Sequence, residues 1–172
     1  YDGHNWYRCT NHSYAANTYS FWQNFTDNDV QIATFFPYSY TEMQEYLQTV
    51  NASQWANTTN LGYSTQLRNI TLLSITNPAI PDTNKNVIYI SGRQHSAETS
   101  SSHMLKGMID FLISPSEDAQ RLRDDFIWYI VPMVNPDGVF LGYTRGTSLL
   151  RDPNDDWNND YSVEVSIVRQ HL

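Results

Sequence analysis

Residues 87–112 read VIYISGRQHSAETSSSHMLKGMIDFL and contain the signals of a strand, a loop and a helix, in that order. The apolar run at 87–90 is typical of a strand that is buried on both faces. After the loop at 91–96, apolar side chains recur at helical spacing and predict a helix over 97–113. The inner face of this helix would consist of Met104, Leu105, Met108, Ile109 and Leu112.

The segment after this helix predicts a second strand and hence an α/β fold. A short helix begins at Pro115 and ends near Arg123, and the apolar residues 126–134 form the next strand. A strand, helix, strand order makes a right-handed crossover, so the two strands are expected to be parallel. The sequence Asn-Pro-Asp-Gly at 135–138 is a strong turn signal, and residues 162–172 read as an amphipathic helix.

The segment before residue 87 predicts one helix and further strands. Ser39-Tyr-Thr-Glu42 is a capping box, which opens a helix that ends near Thr49. A strand at 30–36 precedes it and stops at Pro37. A polar loop at 51–62 leads to a strand pair at 63–68 and 70–76.

The first 29 residues predict a separate small unit. Short strands at 6–8 and 20–25 resemble the end of a β-sandwich whose beginning is missing. We therefore divide the chain into 1–29 and 30–172. Because the chain lacks an initiating Met and ends inside a helix, we expect it to be an internal piece of a longer protein.

Composition excludes some classes of function. Of the 172 residues, 40% are hydrophobic, as in a globular domain, and no apolar run approaches the length of a membrane span. Asp and Glu outnumber Lys and Arg by 18 to 10, for a net charge of -8. A nucleic-acid partner requires a basic surface, so none is expected.

Five Asn-x-Ser/Thr triplets favour a secreted glycoprotein. About three would arise by chance in a chain this rich in Asn, Ser and Thr, but all five precede residue 72. The acceptor residues would be Asn11, Asn24, Asn51, Asn57 and Asn69. The sequence thus predicts an extracellular location.

The single cysteine, Cys9, is expected to be a free thiol or to pair outside this chain.

His95 and Glu98 are the candidate metal ligands. They lie three residues apart, just after the carboxyl end of the predicted strand 87–90, which is the edge where α/β sheets bind their ligands. Imidazole nitrogen and carboxylate oxygen suit zinc, which in hydrolytic sites takes three protein ligands and one water. Taken alone, the pair is weak evidence, because a His and a Glu at this spacing also occur by chance and in structural roles.

The surrounding motifs resemble those of the zinc metallocarboxypeptidases, and most closely the cytosolic carboxypeptidase branch that trims glutamate from tubulin tails. Three segments carry the resemblance: FPYSYT at 36–41, the stretch 90–112, and VPMVNPDGV at 131–139. Arg145, Asp152-Pro-Asn154 and Trp157 follow in the family's order. The resemblance covers residues 30–172. It implies the front half of a carboxypeptidase-type mixed, mainly parallel sheet flanked by helices.

The resemblance also implies a role for each residue of the site. His95 and Glu98 would bind zinc, and Arg145 would polarise the scissile carbonyl. Asn154, with Arg145, would bind the substrate's terminal carboxylate. Asp152 would accept the second ring N–H of His95 and so fix its tautomer. On the residues alone, Arg145 could instead be a surface cation, and Asp152 with Asn154 could lie in a solvated turn.

Two departures from the family pattern limit what this chain can do. Asp155 stands where the family has an Arg that binds the carboxylate, and this exchange turns an attraction of ~4 kcal/mol into a similar repulsion at an effective dielectric near 20. Arg151 is the nearest candidate to compensate. The third zinc ligand and the general base are expected in the remainder of the domain or in a second chain.

Two hypotheses about function follow. The first is a secreted zinc carboxypeptidase-like hydrolase acting on a C-terminal peptide or isopeptide bond of a peptide substrate. The second is an inactive carboxypeptidase-fold glycoprotein with a structural, adhesive or filament-forming extracellular role and a protein assembly partner. Surface or packing roles are expected for Arg93 and for His4, His103 and His171.

Overall fold

The computed structural model describes residues 6–159 and 161–172. The chain folds into two units, Tyr1–Pro37 and Tyr38–Leu172. Residues 30–37 thus group with the first unit, while the domain boundary between residues 29 and 30 stays a prediction.

The first unit contains a β-hairpin. Strand β1 (His12–Ala15) pairs antiparallel with β2 (Thr18–Phe21). The two residues between them, Ala16 and Asn17, have φ values of 50° and 61°. Positive φ at both positions matches the two-residue turns that suit the twist of a hairpin.

Three strands predicted in the first unit differ from the structure. Residues 6–8 are irregular, and the strand predicted at 20–25 overlaps β2 at its first two residues only. Residues 30–36 form no strand, and Ile32 and Phe35 are exposed. A strand needs a neighbour for its backbone hydrogen bonds, and within the described ranges residues 30–36 have no such partner.

The second unit contains both helices and strands. Its helices are α1 (Tyr40–Val50), α2 (Thr99–Leu112), α3 (Glu117–Asp125), α4 (Pro136–Phe140) and α5 (Val163–His171). Its strands are β3 (Ala56–Tyr63), β4 (Asn69–Ile75), β5 (Asn86–Ser91) and β6 (Phe126–Val131). None of the described helices is long and apolar enough to cross a membrane.

The four strands form one mixed sheet in the order β3-β4-β6-β5. β5 and β6 are parallel, with Val87 opposite Ile127, which confirms the predicted crossover through α2. β4 pairs antiparallel with both β3 and β6. The predicted mixed sheet is confirmed, but only one of these three pairings is parallel, so the description as mainly parallel does not hold for this part of the domain.

Apolar clusters cover both faces of the sheet. On one face, Leu73 and Ile130 pack in a buried cluster with Leu47 of α1 and Leu105 and Ile109 of α2. A second cluster joins residues of β4, β6 and α5: Ile70, Leu72, Val131, Val165 and Val168. The sheet therefore lies between helical layers, as the amphipathic patterns of α1, α2 and α5 require.

The prediction is wrong for the first strand of the sheet. Residues 56–62, predicted as part of a polar loop, form β3 together with Tyr63, and the rest of the predicted strand 63–68 is the turn that follows. β3 lies at an edge of the sheet, and both its faces keep some contact with solvent. Its sequence, ANTTNLGY, is therefore largely polar. In the turn, Leu67 has a φ of 62°, which excludes regular strand geometry.

Candidate active site

Two loops leave the sheet side by side at the same edge. β5 and β6 are parallel and end at Ser91 and Val131. The chain continues in contact beyond both ends, since the Val134 amide donates to the Gly92 carbonyl at 3.0 Å and the Asn135 amide to the Arg93 carbonyl at 3.2 Å. The loop with His95 and Glu98 therefore lies beside the loop that leads to Arg145.

Arg93 organises the first loop from inside. Its side chain is buried, and its φ is 52°. The guanidinium donates to the carbonyls of Ser96 and Tyr38 and to the hydroxyl of Ser102, at 2.7 to 3.1 Å. Burial lowers the pKa of Arg93. Of the surface or packing roles expected for Arg93, the structure shows the packing role, and the hydrogen bonds of the guanidinium fix the course of the loop around His95.

His95 is held through both ring nitrogens. Nδ1 lies 2.7 Å from Oε1 of Glu98, and Nε2 lies 3.2 Å from Oδ1 of Asp152. The His95 side chain is 11% exposed and that of Glu98 is 54% exposed. The imidazole is thus buried and contacted at both ring nitrogens, whereas the Glu98 carboxylate beside Nδ1 is exposed to solvent.

Arg145 contacts the same carboxylate. Its Nε lies 2.5 Å from Oδ2 of Asp152. The hydrogen bond from Arg145 lowers the pKa of Asp152, and the same bond raises the pKa of Arg145. Asp152 therefore stays ionised at neutral pH, so that its oxygens accept hydrogen bonds from both His95 and Arg145.

Asn135 holds the loop that carries Arg145, a role that the sequence interpretation missed. Its buried side chain donates to the carbonyl of Gly146 at 2.9 Å and accepts from the amide of Gly138 at 2.9 Å. A Cβ on Gly138 would lie 2.5 Å from the Gly146 carbonyl, so only glycine fits there. The sequence marks this position only through Asn-Pro-Asp-Gly, which predicts a turn. In the structure, Asn135 is the N-cap of α4.

Asp137 forms a second, buried network in the same motif. Its carboxylate accepts from Ser64 (2.6 Å), Arg68 (2.8 Å), the Gln66 amide (2.8 Å) and Ser148 (3.0 Å). Burial alone would raise the pKa of Asp137, but the hydrogen bonds, led by those from Ser64 and Arg68, lower it. The network joins the turn after β3 to the loop that follows Arg145.

Asn154 lies next to the His95 loop. Its side-chain oxygen accepts a hydrogen bond of 3.1 Å from Gln94, and Gln94 accepts one of 2.8 Å from the indole N–H of Trp157. Asp155 is exposed, and its charge contributes to the raised pKa of Arg145. Gln94 was also missed, since an amide beside a candidate ligand carries no distinctive pattern.

Other residues singled out in the sequence lie away from these contacts. The guanidinium of Arg151 lies over the ring of Tyr161, with 5.5 Å between Arg151 Cζ and the ring centroid. His103 packs edge-on against Tyr38, and His171 packs edge-on against Tyr129. Cys9 is a free cysteine. His4 lies outside the described residues.

The donors at His95 and Glu98 are chemically suited to zinc. An imidazole nitrogen and a carboxylate oxygen both bind zinc at about 2.0 to 2.2 Å, which in a tetrahedral site puts them about 3.4 Å apart. They are 2.7 Å apart here, so the exposed Glu98 carboxylate would have to lie about 0.7 Å farther from Nδ1 to share a zinc ion with it. Residues 6–159 and 161–172 contain no group of three or more His, Cys, Asp or Glu residues that could hold a metal ion.

Comparison with known proteins identifies relatives over most of the chain. The family model described as zinc carboxypeptidase matches residues 43–166. Mouse cytosolic carboxypeptidase 6 is 38% identical over 158 residues, which cover 88% of this chain and 29% of that protein. Human cytosolic carboxypeptidase 2 is 40% identical over 129 residues, covering 71% of this chain and 14% of that protein. The chain therefore spans less than a third of the length of these relatives.

Solved structures agree with the fold. A metallo-carboxypeptidase from Pseudomonas aeruginosa, in complex with (2-guanidinoethylmercapto)succinic acid, is 29% identical with a TM-score of 0.88, covering 99% of this chain and 46% of that one. A metallo-carboxypeptidase from Burkholderia cenocepacia is 27% identical with a TM-score of 0.74, covering 78% and 38%.

The predicted extracellular location is wrong, because these curated relatives are cytosolic carboxypeptidases. The Asn-x-Ser/Thr triplets are therefore sequence matches only. These matches also give no support to the structural or filament-forming alternative. The matches and the fold identify a family and not a reaction: the chain belongs to the zinc carboxypeptidase family.

Proposed function

We propose that this chain supplies part of the active site of a zinc carboxypeptidase, with His95 and Glu98 as two of the zinc ligands. The observation that carries the proposal is the double contact of His95, with Glu98 at Nδ1 and Asp152 at Nε2. A ligating imidazole generally donates its other N–H to a carboxylate, which fixes the tautomer and the ring orientation. Zinc bound there would lower the pKa of a water molecule and polarise a carbonyl.

Asp152 orients two groups in this proposal. Its Oδ1 faces Nε2 of His95, so that Nδ1 is left as the lone-pair nitrogen beside Glu98. Its Oδ2 accepts from Nε of Arg145, and Arg145 is 55% exposed. The remaining guanidinium N–H groups are free to stabilise negative charge that develops on the scissile carbonyl. Asp152 thus couples the zinc ligand to the cation.

The substrate would be a peptide whose C-terminal part lies near Asn154. Asn154 offers an amide, while Asp155 beside it adds a negative charge at the position where the resemblance implies a carboxylate-binding Arg. We propose that Asp155 weakens the binding of a free C-terminal carboxylate relative to an uncharged terminus. The third zinc ligand and the general base would come from the rest of the domain.

The test is zinc-dependent hydrolysis by the full-length protein. Peptides with free and with amidated C-termini are incubated with the zinc-loaded protein, and released residues are identified by mass spectrometry. We expect release of C-terminal residues that stops with a chelator, returns with zinc, and is lost in Glu98→Ala. The matched control is Glu45→Ala, since Glu45 is exposed on α1. A Glu98→Ala protein as active as the control would refute the proposal.

A further inference from the structure

Three side chains beside His95 form a relay of hydrogen bonds. The indole Nε1 of Trp157 donates to Oε1 of Gln94 at 2.8 Å, and Nε2 of Gln94 donates to Oδ1 of Asn154 at 3.1 Å. These residues lie about 60 positions apart in the chain, so the relay joins the His95 loop to the segment after Arg145.

The direction of the relay is set by chemistry. An indole N–H can only donate, whereas an amide has one accepting and one donating end. Trp157 therefore draws the oxygen of Gln94 towards itself and turns its NH₂ group towards Asn154. Asn154 must then present its oxygen to Gln94, and its own NH₂ group points away from the relay.

The start of the relay is anchored, and its end is open. Trp157 is half-buried and packs against the apolar cluster of β4, β6 and α5, and its carbonyl accepts from Nη1 of Arg169 at 3.1 Å. The backbone N–H of Asn154 donates to Oδ1 of Asp152 at 3.0 Å, but the Asn154 side chain is exposed. Without Gln94, an exposed amide of this kind could turn either end outward.

We propose that Gln94 is a positioning residue that fixes the polarity of Asn154, so that this part of the site selects a hydrogen-bond acceptor on the substrate. The inference deepens the proposed function and rests on it for the use of Asn154 in binding. Gln94 itself contacts no substrate. Its role is to keep two N–H donors of Asn154, rather than its oxygen, facing the bound peptide.

The decisive variant is Gln94→Glu. A carboxylate still accepts from Trp157, but it offers Asn154 only oxygens, so Asn154 must turn its NH₂ group inward and its oxygen outward. Two uncharged peptides report this change: one ends in a methyl ester, which only accepts, and the other in a methylamide, which also donates. Their affinities for the zinc-free full-length protein are measured by NMR titration.

We expect the ratio of ester to methylamide affinity to fall about tenfold in Gln94→Glu, as one neutral hydrogen bond is lost or replaced by a repulsion. Trp157→Phe and Gln94→Ala, which release the relay without reversing it, should give intermediate ratios. The matched control is Gln48→Glu, because Gln48 is an exposed amide on α1. An unchanged ratio in Gln94→Glu would overturn the inference, since a merely structural role lowers both affinities together.

A second readout does not depend on peptide binding. In protein with ¹⁵N-labelled Asn, the side-chain protons of Asn154 should exchange rapidly with water in the wild type and slowly in Gln94→Glu. If the wild type binds neither peptide, the substrate-binding role of Asn154 fails, and this exchange pattern still decides the relay. Slow exchange of the Asn154 side-chain protons in the wild type would overturn the inference, whatever the peptide affinities are.

Discussion

Two carboxylate–guanidinium pairs in the second unit use the same chemistry in opposite surroundings. Oδ1 of Asp137 lies 2.8 Å from Nη1 of Arg68, and the two side chains are 0% and 15% exposed, respectively. Oδ2 of Asp152 lies 2.5 Å from Nε of Arg145, and the two side chains are 30% and 55% exposed, respectively. The first carboxylate is surrounded by protein donors, whereas the second faces solvent and the candidate zinc ligand.

The difference indicates what each pair is for. Four groups donate to Asp137, and none of them is a candidate ligand or a substrate-binding residue. A buried, fully paired carboxylate stabilises the loops it joins and is costly to break. An exposed pair contributes little to stability, which agrees with the proposal that Asp152 orients His95 and Arg145.

The largest effect on stability should come from Asp137→Ala. Removal of the carboxylate leaves a partly buried guanidinium and buried polar donors without an acceptor, which costs about 3 to 5 kcal/mol of unfolding free energy. Urea denaturation followed by circular dichroism measures this loss. In the same assay Asp152→Ala should have a midpoint close to that of the wild type, and equal losses in the two variants would remove the distinction between the pairs.

The largest effect on activity should come from the exposed pair. Arg145→Ala is expected to lower kcat about 10² to 10³-fold, the usual cost of removing a group that stabilises transition-state charge. Steady-state kinetics on a hydrolysed peptide measures this, with Arg121→Ala on α3 as a control because Arg121 is also an exposed arginine in an ion pair. A kcat for Arg145→Ala equal to that of the control would show that Arg145 is an ordinary surface cation.

Acid should weaken the buried pair. Hydrogen bonds lower the pKa of Asp137 in the folded protein, so it contributes stability that is present above the unfolded carboxyl pKa of about 3.9 and is lost as pH falls through the folded value. Urea unfolding between pH 6 and pH 2 should show this loss. Asp137→Asn should flatten the pH dependence below pH 4, and the same slope in both proteins would contradict the assignment.

A smaller effect is expected at Asp155. Asp155→Arg replaces repulsion of a substrate carboxylate by attraction, so KM for peptides with a free C-terminus should fall about tenfold, which corresponds to about 1.4 kcal/mol. KM for amidated peptides should change little. Asp118→Arg, at an exposed position on α3, controls for net charge. An equal change for both peptides would mean that Asp155 does not face the terminus.

The sequence predicted the elements whose pattern reflects burial. Helix α2 buries one apolar face in the core, with Leu105, Ile109 and Leu112. The apolar run at 87–90 forms β5 as a strand, but the prediction that it is buried on both faces is wrong: β5 lies at an edge of the described sheet, Val87 is exposed and residues 88–90 are half-buried. The edge strand β3 was missed because its polar residues resemble a loop. Residues 30–36 have the composition of a strand but lack a neighbour to pair with, which a local pattern does not reveal.

The site was predictable only where chemistry marks a residue. His95, Glu98 and Arg145 carry groups that suggest a role by themselves, and the structure brings them together through Asp152. Gln94 contacts residues about 60 positions away in the chain, so nothing in its neighbourhood marks it. Asn135 lies in a motif that the sequence marks only as a turn, and the turn signal does not reveal its contact with Gly146. The prediction of secretion failed because Asn-x-Ser/Thr triplets are short and arise often by chance.

The central claim is that His95 and Glu98 hold zinc, and the zinc content of the purified full-length protein tests it most directly. Wild-type protein, His95→Ala and Glu98→Ala are dialysed against trace-metal-free buffer and measured by inductively coupled plasma mass spectrometry. The account predicts close to one zinc per wild-type chain and little in either variant. A metal-free wild type, or zinc retained equally in both variants, would contradict it.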